Sequence, residues 1–232
     1  MTRTGSAILA AVGMSTAALG FAFAGPESDQ GHCALSCSAK ADAGLVAEAA
    51  PTGEIKAGDT APAFTLTDLN GKTVTLAEEL KKAGTKAVLI EWFNPQCPFI
   101  VKHHEKHTTF ADLYTEFGGK GVTFLAINSG APGNEGHGEA LNKDAAKKWN
   151  IAYPILNDEK GAIGKAYGAK TTPHVYIVTA EGVVAYQGAI DNDRSADKLG
   201  TINYARKALT EILSGQTVSE ANTRPYGCSV KY

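Results

Sequence analysis

Few residues in this chain combine a reactive side chain with a setting that would activate it, and Cys97 stands out among them. It follows the apolar run Ala87–Phe93 and the breaker Asn94-Pro95-Gln96, and it is followed by Pro98 and a helical pattern. A short run of Val, Leu, Ile, Trp and Phe reads as a buried strand. Proline suits the first turn of a helix, where its missing N–H costs nothing. The spacing therefore predicts strand, turn, cysteine, helix N-terminus. The partial positive charge at a helix start stabilises a thiolate and makes the sulfur nucleophilic. The plainer alternative is a buried structural thiol.

Other side chains are candidates around it. Glu91 interrupts the apolar strand, and a buried carboxylate there needs a partner or a raised pKa; a proton relay to the cysteine is the functional reading. His174 follows Pro173 and is a candidate to hold a thiolate near Cys97. His103, His104 and His107 come just after Cys97, and 103 and 107 share a helix face. They read as an exposed polar face, with metal binding as the alternative; HEKH is not the HExxH zinc motif. Upstream, Gly31-His32-Cys33-Ala34-Leu35-Ser36-Cys37 offers either a small disulfide loop or, with His32, a soft-metal site for Cu(I) or zinc through Cys33 and Cys37.

The elements that must position these residues follow from the pattern along 232 residues with a net charge of −2. Lys and Arg are scattered and form no basic stripe, which excludes a nucleic-acid surface. The short positive start at Arg3, the apolar stretch from Ala7 to Ala24 and the small residues Ala22-Phe23-Ala24 predict a secretory signal peptide over 1–24. Residues 25–53 read as a disordered, small-residue linker. The mature chain is then expected without a membrane span, secreted across the inner membrane into a periplasmic or extracellular setting where disulfides persist. Ala61–Asp68 and Lys72–Leu76 read as strands joined at the Asn70-Gly71 hairpin turn. Ala77–Lys82 starts a short helix. Strand 87–93, the helix after Cys97 and strand 122–128 form a βαβ unit, which implies parallel pairing. Helices at 139–149 and 158–167 follow, then antiparallel strands 175–178 and 183–187 and an amphipathic helix over 202–213. A tail from 215 to 232 carries Cys228.

This order of elements resembles the thioredoxin fold, in its redoxin or AhpC/TSA-like branch. The resemblance covers about 55–213 and rests on Ala61-Pro62-Ala63-Phe64 with the hairpin, on Trp92-Phe93-Asn94-Pro95-Gln96-Cys97-Pro98, and on Thr172-Pro173. It implies an α/β fold with a central mixed sheet flanked by helices, an N-terminal β-hairpin extension and a helical insertion, as a domain over 54–214. It also implies a cis Thr172–Pro173 bond lying against Cys97. Position 100 is Ile, so a C-x-x-C pair is missing. Ile90 and Asn94 stand where peroxiredoxins carry the proline and threonine of their active-site motif.

The implied activity is thiol–disulfide exchange through a mixed disulfide at Cys97 on a disulfide-bearing or thiol protein, with no cofactor. The peroxiredoxin-like alternative is peroxide reduction through a sulfenic acid. Both need a resolving thiol. Cys228 is the internal candidate, and its YGCSVKY context resembles the tail of this redoxin group; Cys33–Cys37 as a separate pair, or Cys228 with one of them, stays open. Thioredoxin-fold copper carriers form a third possibility, although they place a CxxxC on the active-site turn. A structural redoxin with a vestigial site is the fourth.

Overall fold

The computed structural model describes residues 54–232. The segments expected as signal peptide and linker, with His32, Cys33 and Cys37, lie outside the described residues. Two short strands open the domain, β1 (Thr65–Asp68) and β2 (Thr73–Thr75), paired antiparallel. At their turn Asp68 Oδ1 accepts the amides of Asn70 and Lys72 at 2.8 and 2.9 Å, and Gly71 takes a φ of +81° that suits glycine. Helix α1 (Leu76–Lys81) is capped by Thr75, whose hydroxyl accepts the Glu78 amide.

The centre of the sheet is β3 (Ala87–Trp92), all six residues buried. It pairs parallel with β4 (Val122–Asn128), which pairs parallel with β5 (Ile155–Asn157). On its other side β3 pairs antiparallel with β7 (Val175–Thr179), which pairs antiparallel with β8 (Val184–Gly188). The seven strands run in the order β2-β1-β5-β4-β3-β7-β8. This is the mixed α/β sheet expected of the thioredoxin fold.

A strand covered on both faces reads as a continuous apolar run, and alternate residues supply opposite cores. Ala87, Leu89 and Phe93 join Cys97, Ile100, Phe110, Leu113 and Leu209 on one face. Val88, Ile90 and Trp92 join Leu125, Tyr167 and Tyr176 on the other. The first core is roofed by α3 (Thr109–Phe117) and α6 (Tyr204–Leu213); α4 (Glu139–Lys148) and α5 (Ala162–Tyr167) fill the crossovers that precede β5 and β7.

The segment after Cys97 departs from the single helix that the sequence suggests. Helix α2 covers only Pro98–Val101, and Lys102–Lys106 is a π-helical turn, closed by the His107 amide on the Lys102 carbonyl at 2.9 Å. The wider turn brings three successive residues inward. Lys102, His103 and His104 are all buried, which corrects the expectation of an exposed histidine face. Two further strands were not foreseen. β6 (Thr171–Thr172) pairs antiparallel with β9 (Cys228–Ser229), Thr171 opposite Ser229 and Thr172 opposite Cys228. The C-terminal tail is therefore a strap across the sheet's carboxyl end. No described helix is long and apolar enough to cross a membrane.

Candidate active site

Cys97 is the N-cap residue of α2, with Pro98 in the first turn. The turn before it is fixed from outside. Asn94 Oδ1 accepts the Gln96 amide at 2.9 Å, and Gln96 Oε1 accepts the amide of Gly136 at 2.7 Å. Gly136 has a φ of +83°, and a Cβ there would meet Asn94 Oδ1 at 2.2 Å, so only glycine lets this loop close on the turn.

The Cys97 thiol donates to the Thr172 carbonyl at 2.9 Å, and the Thr172–Pro173 bond is cis. Cys228 stands opposite Thr172 in the ladder, so both cysteines meet at Thr172, and the Cys97 side chain lies near enough to raise the Cys228 pKa. Both cysteines are free thiols. Three segments far apart in sequence, carrying Cys97, Thr172-Pro173 and Cys228, thus meet where β6, β9 and α2 converge. Cys97 is fully buried, while Cys228 is only half-buried. Burial first, and then the neighbouring Cys97 side chain, pushes the Cys228 thiol up to about 12. The Thr172 hydroxyl is buried with no hydrogen-bond partner among the described residues.

The strap that carries Cys228 is anchored by a residue the sequence reading missed. Tyr226 OH donates to Asp191 and lies 3.0 Å from both Lys102 Nζ and His103 Nε2. Lys102 also donates to the Asp193 carbonyl at 2.7 Å and packs over the Tyr226 ring. His103 is held neutral, its pKa pushed down to about 3 by burial and by the Lys102 charge. Nothing in the pattern PYGCS marks Tyr226, because its partners come from elements 35 to 124 residues away. Beyond Cys228 the Val230 amide bonds the Lys170 carbonyl, and the Tyr232 hydroxyl donates to the Ala169 carbonyl.

Two expected members of the site are engaged elsewhere. His174 is fully buried, but its Nε2 lies 3.0 Å from Gln187 Oε1 and its Nδ1 accepts the Lys170 amide. It makes no hydrogen bond to Cys97 among the described residues, and burial pushes its pKa down to about 4, which leaves it neutral. Glu91 does have partners: His104 Nε2 at 2.8 Å and the Tyr153 hydroxyl at 3.2 Å. Both carboxylate oxygens are used, and neither bond leads to Cys97. His104 is itself stacked on Phe110 and Trp149. No group of three or more metal-ligating side chains occurs among the described residues.

Residues 56–203 match the family model described as Redoxin. The thiol-disulfide oxidoreductase ResA of Bacillus thuringiensis subsp. konkukian is 27% identical over 132 residues, 56% of this chain and 68% of its own length. The chloroplastic peroxiredoxin Q of Triticum aestivum is 29% identical over 141 residues, 58% of this chain and 59% of its own length. Among solved structures, an uncharacterized conserved protein from Geobacillus kaustophilus is 31% identical, with a TM-score of 0.68, over 78% of this chain and 94% of that one. The family match includes Cys97, Thr172 and Pro173 and stops short of the strap.

Proposed function

We propose, from the premise that the chain belongs to the redoxin family, that it is a thiol–disulfide oxidoreductase in which Cys97 and Cys228 are the redox pair. The convergence of both cysteines on Thr172, Cys97 at its carbonyl and Cys228 as its ladder partner, carries this reading, because no other described thiol can resolve an intermediate on Cys97. Similarity to ResA, named a thiol-disulfide oxidoreductase, supports it. The Cys97 sulfur attacks one sulfur of a substrate disulfide. The substrate S–S bond breaks, the leaving sulfur takes a proton, and a mixed disulfide forms on Cys97. The Cys228 sulfur, having lost its proton, attacks Cys97 Sγ and releases the second substrate thiol. The substrate gains two electrons, the pair becomes the Cys97–Cys228 disulfide, and an external dithiol returns it to the reduced state.

The order of steps follows from what holds Cys228 protonated. Burial is the first cause, and the neighbouring Cys97 side chain is the next. Once Cys97 is in a mixed disulfide, its thiol no longer opposes ionisation of Cys228. The second thiol is thereby activated by reaction of the first.

Similarity to a peroxiredoxin favours a second reading on the same pair, with a hydroperoxide oxidising Cys97 to a sulfenic acid and Cys228 displacing water. An extracytoplasmic setting fits the apolar N-terminal segment, and Thr172 and Pro173 form the wall against which the sulfur reacts. Turnover of hydroxyethyl disulfide in a dithiothreitol-driven assay tests the pair. Cys97→Ser is expected to lose activity entirely. Cys228→Ser is expected to accumulate the Cys97 adduct, seen as added mass. An active Cys97→Ser variant contradicts the reading.

A further inference from the structure

The strap and one orphaned hydroxyl together define what can reach Cys97. We infer that the site takes a low-molecular-weight electrophile with a weak S–S or O–O bond, with the Thr172 hydroxyl donating to the departing atom, and that the strap closes it to polypeptide disulfides. This rests on the reading of Cys97 as a redox nucleophile.

The backbone edge of β6 beside Cys97 is already occupied, since β9 pairs with it. An extended polypeptide could add to that edge only by replacing β9. No second chain fits between them: a Cβ on Gly227 would already meet the Thr172 carbonyl oxygen at 2.1 Å. Replacing β9 also means unseating Tyr226, whose hydroxyl is buried among Asp191, Lys102 and His103, and Tyr232 at the far end. A small molecule asks for much less. The β6–β9 ladder is two residues long, and Cys228 is half-buried, so local fraying uncovers the sulfur with both tyrosines seated.

The Thr172 hydroxyl supplies the second, independent observation. Buried hydroxyls are satisfied as a rule, yet this one has no partner among the described residues, although the residue is 2% exposed and its own carbonyl receives the Cys97 thiol. A small substrate brings the missing acceptor. In a hydroperoxide the O–O bond breaks as Cys97 attacks the distal oxygen. The sulfur is oxidised to a sulfenic acid, and the other oxygen leaves with the electron pair and a proton. In a small disulfide the leaving sulfur plays that part. Either way Thr172 keeps its own proton and lends a hydrogen bond to the developing anion. Cys228 then closes the disulfide, and dithiothreitol restores both thiols in the assay.

Full-length protein is offered hydrogen peroxide, hydroxyethyl disulfide or insulin at equal thiol-reactive concentration. At least one small probe is expected to oxidise the wild type about 100-fold faster per molar than insulin. Thr172→Val is expected to slow that probe by tenfold or more, mainly in kcat, and Thr172→Ser to restore most of it. Tyr226→Ala is expected to narrow the preference over insulin by at least tenfold. Gly227→Ala, which pushes the strap off Thr172 without touching its anchor, is expected to act the same way if Tyr226→Ala does not fold. Insulin oxidising the wild type as fast as the small probes overturns the inference while the redox reading stands, and so does a Thr172→Val variant equal to wild type. If no probe oxidises Cys97, the redox reading fails and the inference with it. Which small probe works distinguishes a hydroperoxide from a disulfide substrate.

Discussion

A histidine buried without charge makes a fold sensitive to acid, and this chain has one beside its cis proline. His174 keeps a pKa of about 4 in the folded chain against 6.5 when free. Above pH 6.5 it is neutral in both states and contributes nothing to pH dependence. Between 6.5 and 4 the unfolded chain takes up a proton that the folded chain refuses, so stability falls as pH falls. The loss amounts to about 3 kcal/mol across that window. Urea titrations at pH 7.5 and pH 4.5 are expected to show this loss, with His103 adding to it in the same direction, and His174→Gln is expected to remove a measurable part of the difference. A slope unchanged in His174→Gln contradicts the assignment. At this scale the sequence was informative about Cys97, because strand, breaker, cysteine and proline are consecutive. It was less informative about His174 and Glu91. Their burial is legible from apolar neighbours, but which way a buried polar group bonds depends on residues such as Gln187 and Tyr153 that approach from other strands.

The π-helical turn and the strap are the elements that depart most from the pattern. A run of Lys-His-His-Glu-Lys looks like a solvated helix face, since charge and polarity mark exposure on average. Here the extra residue in the turn rotates three of those side chains inward, where Asp191, Thr109 and Glu91 meet them. Breaking one partnership leaves a buried group exposed to its full desolvation cost. His104→Leu removes one of the two partners of the buried Glu91 carboxylate, and a loss of roughly 3 kcal/mol is expected from chemical denaturation, the range for breaking a buried pair. A loss below about 1 kcal/mol would show that Glu91 is satisfied without it. The strap was legible only as a tail long enough to fold back. Its two-residue ladder and the seat of Tyr226 depend on Thr172, Lys102 and Asp191, and no local periodicity in residues 216–232 encodes them.

For the whole molecule, continuous apolar runs were enough to place β3, β4 and β7 along the chain, because these strands are buried on both faces. Strand ends moved by a few residues, as for β1, which begins at Thr65 and not at Ala61. The proposed pair, once oxidised, would tie the centre of this sheet to the C-terminal tail, and that has a consequence for stability. A disulfide between residues 97 and 228 would close a loop of well over 100 residues, worth up to roughly 4–5 kcal/mol in chain entropy. The oxidised protein is therefore expected to unfold at clearly higher urea than the reduced protein. A Cys33–Cys37 bridge closes too short a loop to give such a shift. The most direct measurement is a disulfide map of the full-length native protein after mild oxidation, by mass spectrometry of non-reduced peptides. A peptide linking Cys97 to Cys228 is the expected result. Oxidised protein in which those two remain free thiols, with any bridge confined to Cys33 and Cys37, would contradict the redox pair.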